Sequence, residues 1–164
     1  MYKLTPLLKG IITGVLMVIC SLLLYYTDVS LGSSLHYIIY LIYAAGIVWT
    51  LKSYSNSEAF TGKFSELFGQ GFRCFIITIL IMVAFTSIFS MLHPEFAKEA
   101  AAQYRADLVK EGNKLPAEID KLVADAKKQY TTGVVYFTIF GYLIIGAIVN
   151  TIASITIVLT KRSK

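Results

Sequence analysis

The sequence predicts an all-α polytopic membrane protein with four transmembrane helices and an extramembrane helical hairpin between helices 3 and 4. Three observations carry that reading. Four long apolar runs, about 10–26, 35–51, 72–92 and 132–160, contain no Asp, Glu or Lys, and each is long enough for the roughly 17–25 residues a helix needs to cross the hydrocarbon core. Hydrophobic residues make up 56% of the chain and charged residues 15%, against roughly 45–50% and 25% in soluble domains, and the mean hydropathy is +0.66. The charged residues that remain are concentrated in one helix-patterned insert, residues 93–131, and at the ends of the runs. A chain of 164 residues has room for these parts and no separate catalytic module, so 1–164 is expected to form a single membrane domain.

The first run reads as a span rather than a signal peptide. Its apolar stretch exceeds the roughly 7–15 residues of an h-region, and Tyr25-Tyr26-Thr27-Asp28 offers no A-x-A-like cleavage site. Gly10-x-x-x-Gly14 opens it, a spacing that lets two helices approach closely and that can join either subunits or neighbouring spans. Cys20 lies deep in this run and Cys74 near the start of the third, so their levels differ by roughly 12 Å and they cannot pair within one subunit. With no C-x-x-C they read as packing thiols.

Charge placement gives the expected orientation. Eight basic and two acidic residues flank the run ends that share a side with the termini, whereas the first loop holds only Asp28 and the insert holds seven of each sign. The net charge is +5. A first loop free of Lys and Arg places both termini in the cytoplasm and hairpin 93–131 outside. The aromatic residues Tyr25, Tyr26, Tyr37, Tyr40, Tyr43, Trp49 and Tyr54 fall near run ends as interfacial belts, with Tyr40 and Tyr43 able to turn inward.

Before the third run, Phe60, Phe64, Leu67, Phe68, Phe72 and Phe75 fall on one arc at 100° per residue, opposite Lys63, Glu66, Gln70 and Arg73. The pattern predicts an interfacial amphipathic helix over about 60–71, with Phe60, Phe64, Leu67, Phe68 and Phe72 in the membrane interface and a bend at Gly69 and Gly71. Such a helix either orients the third span or serves as a membrane-surface sensor or a docking site for a partner. The insert predicts a hairpin over about 94–130. Pro94 suits a first helical position, Phe96, Ala100, Tyr104 and Leu108 form a stripe, Gly112-Asn113 stops the helix and Pro116 starts the next. There Ile119, Leu122, Val123, Ala126 and Tyr130 make the apolar face, and this helix either runs on into the fourth span or is jointed to it at Thr131-Thr132-Gly133. The hairpin is either a solvated cap or a recognition element.

This order of parts, with FSELFGQGF entering the third run, HPEF leaving it, EGNKLPAEID at the hairpin turn and GAIVNTIASI before a basic tail, resembles a family of small four-span bacterial membrane proteins catalogued as domain of unknown function 4199 (DUF4199). The resemblance covers nearly the whole chain. It implies the four-span architecture and a bacterial inner membrane, and it lends no activity. Asn150 departs from the small or hydroxylated residue that the resemblance implies there.

Asn150 is the only carboxamide inside a run, and it stacks with Gly146 and Ser154 at four-residue spacing, the pattern of a close helix contact bridged by an amide. His36 and His93 fall at the outer ends of their runs and are weak candidates for a shared metal or haem with Asp28 or Glu95. No span interior holds the ionisable groups of pumps and coupled transporters, and no G-x-x-x-x-G-K-[ST], H-E-x-x-H or G-x-S-x-G occurs. The expectation is therefore a non-enzymatic accessory or structural protein without a cofactor. Its partners would be the lipid bilayer, a membrane protein or a second copy of itself, and no nucleic acid. The alternatives are a small transporter or oligomeric channel and, after these, an intramembrane enzyme or haem protein.

Overall fold

A computed structural model describes residues 4–27, 35 and 37–162. Five helices follow in order: α1 (Pro6–Tyr26), α2 (Tyr37–Ser55), α3 (Phe64–Leu92), α4 (Pro94–Glu111) and α5 (Pro116–Arg162). Four of them, α1, α2, α3 and α5, are long and apolar enough to cross a membrane. Internal packing falls into two compact units, Met1–Met82 with Ile139–Lys164, and Val83–Thr138.

Local chemistry explains where the helices begin and stop. Thr5 caps α1, its hydroxyl oxygen accepting from the Leu8 N–H at 3.3 Å, and Pro6 fills the first position, where no donor is needed. Ahead of α3, the Glu66 carboxylate accepts from the Thr61 N–H at 2.9 Å and from the Thr61 hydroxyl at 2.5 Å, which ties the loop to the first turn. Gly62 makes that loop possible with a φ of 86°. Pro94 starts α4, and Gly112, at φ 67° in the left-handed region, ends it. Pro116 opens α5, where the Leu115 carbonyl accepts from the N–H groups of Glu118 and Ile119 at 3.0 Å each.

Two expectations are corrected. The segment 60–71 is not a separate interfacial helix, because α3 runs unbroken from Phe64 through Gly69 and Gly71 to Leu92, and Phe60 lies in the preceding loop, 6.0 Å from the Tyr54 ring. Leu67 does not face the interface but is fully buried, because a continuous helix places it on the same face as Gly71, Cys74 and Thr78, which is the packed face of the first unit. Phe64, Phe68 and Phe72 do form an outer ladder, with ring centroids 5.6 and 6.4 Å apart. Of the two readings at residues 131–133, the structure has the continuous one, since α5 runs through them.

In the second unit the hairpin face is turned relative to the stripe read from sequence. Ala101, Leu108 and Ile119 are buried, whereas Ala100 and Tyr104 are exposed. Steps of four residues drift about 40° each around a helix, while a step of seven nearly closes two turns. Ala101 and Leu108 are seven apart. An ion pair between Arg105 and Asp120 at 2.6 Å, exposed on both sides, links α4 to the start of α5.

Candidate functional site

The first unit turns polar atoms inward and apolar surface outward. In α5, Gly146, Asn150, Ser154 and Val158 recur every four residues and are buried, while Ile144, Ile148, Ile152 and Leu159 are exposed. That polarity suits a helix surrounded by lipid, where apolar surface has nothing to gain by association and close packing and internal hydrogen bonds hold the bundle.

Glycines make the packing possible by vacating space that a specific neighbour fills. The Asn150 amide donates to the Phe68 carbonyl of α3 at 3.0 Å, and a Cβ at Gly71 would collide with the Asn150 side-chain oxygen. The Tyr43 hydroxyl donates to the Tyr142 carbonyl at 3.0 Å, and a Cβ at Gly146 would run into that hydroxyl. Tyr142 also meets the Tyr43 ring edge-on, with centroids 5.3 Å apart. On α1, Gly10 faces Cys74 and Ile77 and Gly14 faces Ile81, so this glycine pair lies against the neighbouring span α3. The Thr78 hydroxyl shares its proton between the carbonyls of Gly10 and Cys74, both at 3.1 Å. Gly46 of α2 leaves room for the Thr13 side chain.

Two polar atoms of this seam, the Asn150 side-chain oxygen and the Ser154 hydroxyl, are buried without a hydrogen-bond partner among the described residues. Cys20 and Cys74 are both free thiols, and Cys74 lies 3.8 Å from the Gly46 carbonyl.

Sequence reading missed Lys9. Counted there with the flank of the first span, it lies within α1, only 4% exposed, with its ammonium 5.2 Å from the centre of the Trp49 ring. A signal existed, because Lys9, Thr13 and Met17 share one helix face at four-residue spacing and all three are buried. Tyr142 and Thr78 were missed for a different reason, since their roles depend on what stands opposite them.

His36 lies outside the described residues, whereas His93 precedes α4 and its Nδ1 is 2.6 Å from the Glu95 carboxylate. The Glu95 carboxyl is held below its ordinary range, first by its own backbone N–H and then by the His93 ring. Among the described residues, no three His, Cys, Asp or Glu side chains come together as a metal site. In the second unit, the hairpin tip holds a cleft of about 230 Å³ lined by Leu108, Val109, Gly112, Pro116 and Ile119, with Arg105 and Lys114 at its rim.

Four apolar helices with a polar, glycine-spaced interior define a multi-pass integral membrane protein. The chain belongs to the family described as protein of unknown function (DUF4199), whose model matches residues 9–158. No curated protein and no solved structure matches it.

Proposed function

We propose that this protein is an accessory component of a bacterial inner membrane that recognises a membrane-protein partner through its hairpin, carrying out no reaction of its own. The observation that supports this reading is the hairpin tip. Val109 and Leu115 are 59% and 73% exposed beside the cleft between α4 and the start of α5, in a hairpin otherwise covered with charge of both signs. Exposed aliphatic side chains around a concave, mostly apolar cleft are what a partner's apolar anchor needs. The basic residues that flank the membrane runs near the termini support cytoplasmic termini and an outward hairpin.

The test is site-specific photocrosslinking in native membranes with a photoreactive residue at position 115, and at Gln103 for comparison. A discrete protein adduct from position 115 that is lost on Val109→Asp is the expected result. Adducts to lipid alone, or equal adducts from both positions, would overturn the reading. Labelling of Asn113→Cys in intact cells, in a Cys20→Ala/Cys74→Ala background, checks the orientation, and labelling only after lysis would reverse it.

A further inference from the structure

The first unit holds a cavity of about 410 Å³ where the start of α1, the end of α2, the loop after it and the second turn of α3 come together. Lys9, Thr50, Ser53, Tyr54, Glu58 and Gln70 are among its lining residues. Lys9 is the anomaly. The side chain is nearly buried while the ammonium itself stays open to the cavity, and a lysine so enclosed ordinarily has a carboxylate or several acceptors at its ammonium, because taking a charge out of water is costly. Among the described residues Lys9 makes no ion pair and no side-chain hydrogen bond, and the face of Trp49 and the thiol of Cys74 are what lie near it. Among the described residues the other lysines at this end, Lys52, Lys63 and Lys161, are exposed, and Lys161 donates to the Asn56 side chain at 3.2 Å.

The remaining lining side chains indicate what would complete the site. The Thr50 hydroxyl is committed to the Gly46 carbonyl at 3.0 Å and the Tyr54 hydroxyl to the Ala59 carbonyl at 3.3 Å, which leaves the Ser53 hydroxyl and the Gln70 amide as spare donors. Three ammonium protons and two neutral donors suit an oxyanion with several acceptor atoms. Glu58 on the same wall opposes a second negative charge, so one cation and one nearby anion favour a singly charged group over a doubly charged phosphate monoester. The start of α1 also lines the cavity through Pro6, and its dipole adds to the attraction. Where membrane helices end, basic pockets between them meet lipid phosphates.

We propose that this cavity binds a singly charged phosphodiester, the phosphate of a phospholipid headgroup or of a free glycerophosphodiester, with Lys9 as counter-ion and Ser53 and Gln70 as neutral donors. The site is independent of the hairpin reading. Trp49 is the only tryptophan of the chain and stands beside Lys9, so its emission reports occupancy directly.

The experiment titrates the purified, delipidated full chain with dioctanoyl phosphatidylglycerol, with glycerophosphoglycerol and with uncharged dioctanoylglycerol. A saturable change in Trp49 emission is expected with at least one of the two phosphodiesters and none with dioctanoylglycerol. Lys9→Met, which keeps the stem and removes the charge, should weaken binding about tenfold or more, and Lys52→Met less than about twofold. Comparable binding of glycerophosphoglycerol assigns the site to a soluble ligand, and binding of the lipid alone assigns it to a headgroup. Ser53→Ala with Gln70→Leu leaves Lys9 in place and should weaken binding at least about threefold, which keeps the test open if Lys9→Met does not fold. No saturable binding, an equal response to dioctanoylglycerol, or unchanged affinity in the Lys9 and Ser53/Gln70 variants overturns the proposal.

Discussion

The two units are built on opposite principles. In the first, Tyr43, Leu67, Asn150 and Ser154 are buried among glycines that each make way for a named neighbour. In the second, the hairpin buries Ala101, Leu108 and Ile119 and relies on exposed contacts such as Arg105 with Asp120. Between the packed spans of the first unit and residues 93–131 of the second, the difference follows from solvent. Lipid gives apolar side chains no reason to associate, so the spans must fit one another closely, while water rewards even a narrow apolar face and tolerates a loose one. The first unit should therefore respond to added volume and the second to removed volume.

The largest effect is expected at Gly46, where any Cβ would collide with Thr13. Gly46→Leu should cost about 3 kcal/mol or more, the upper range for overpacking a close contact, read as loss of the folded fraction on denaturant titration in mixed micelles. Gly46→Ala should be partly rescued by Thr13→Ala. If the two changes simply add, the pair is not in contact as described.

At Gly146 the severe clash is with the Tyr43 hydroxyl, beside a tight approach to the Phe75 ring, so Gly146→Ala should cost about 1–3 kcal/mol. Tyr43→Phe should remove much of that penalty by deleting the hydroxyl that it meets, leaving the tight approach to the Phe75 ring. A cycle of four thermal melts in detergent measures this coupling, and an unchanged penalty in the Phe background would break the assignment.

Leu108→Ala probes the other side of the comparison. Its site is thinly packed, so the cost should fall near the lower end of large-to-small core changes, about 2 kcal/mol. It should appear as faster amide exchange in residues 94–130 and leave the amides of α1 and α2 unchanged. A uniform acceleration throughout the chain would show that the two units do not differ in this way.

The smallest effect concerns pH. The Glu95 carboxyl is depressed in the folded protein, so its contribution is fully present above the ordinary carboxylate range and is lost as pH falls through that range to the lowered value. Amide exchange in the first turn of α4 should quicken more on acidification in the native chain than in Glu95→Gln. The exposed carboxylate limits this to a local change.

The four apolar runs were legible because length and composition alone decide that a helix can cross a membrane, and the helix boundaries at Pro94, Gly112 and Pro116 were legible because their chemistry is local. The Gly146, Asn150 and Ser154 face was visible as a spacing, yet the spacing did not say that Tyr43 and Phe68 stand opposite. The misplacement of residues 60–71 has the same origin. An arc of Phe and Leu is apolar whether lipid or protein covers it, so the sequence could not separate Leu67, which the bundle buries, from Phe64 and Phe72, which remain exposed. What the sequence by itself determined is which segments are helices and which of them suit lipid, since both follow from residue type and local order. Only the tertiary structure decided which polar groups go inside, Lys9 above all, because burial of a side chain depends on what the other helices place around it and not on the side chain itself.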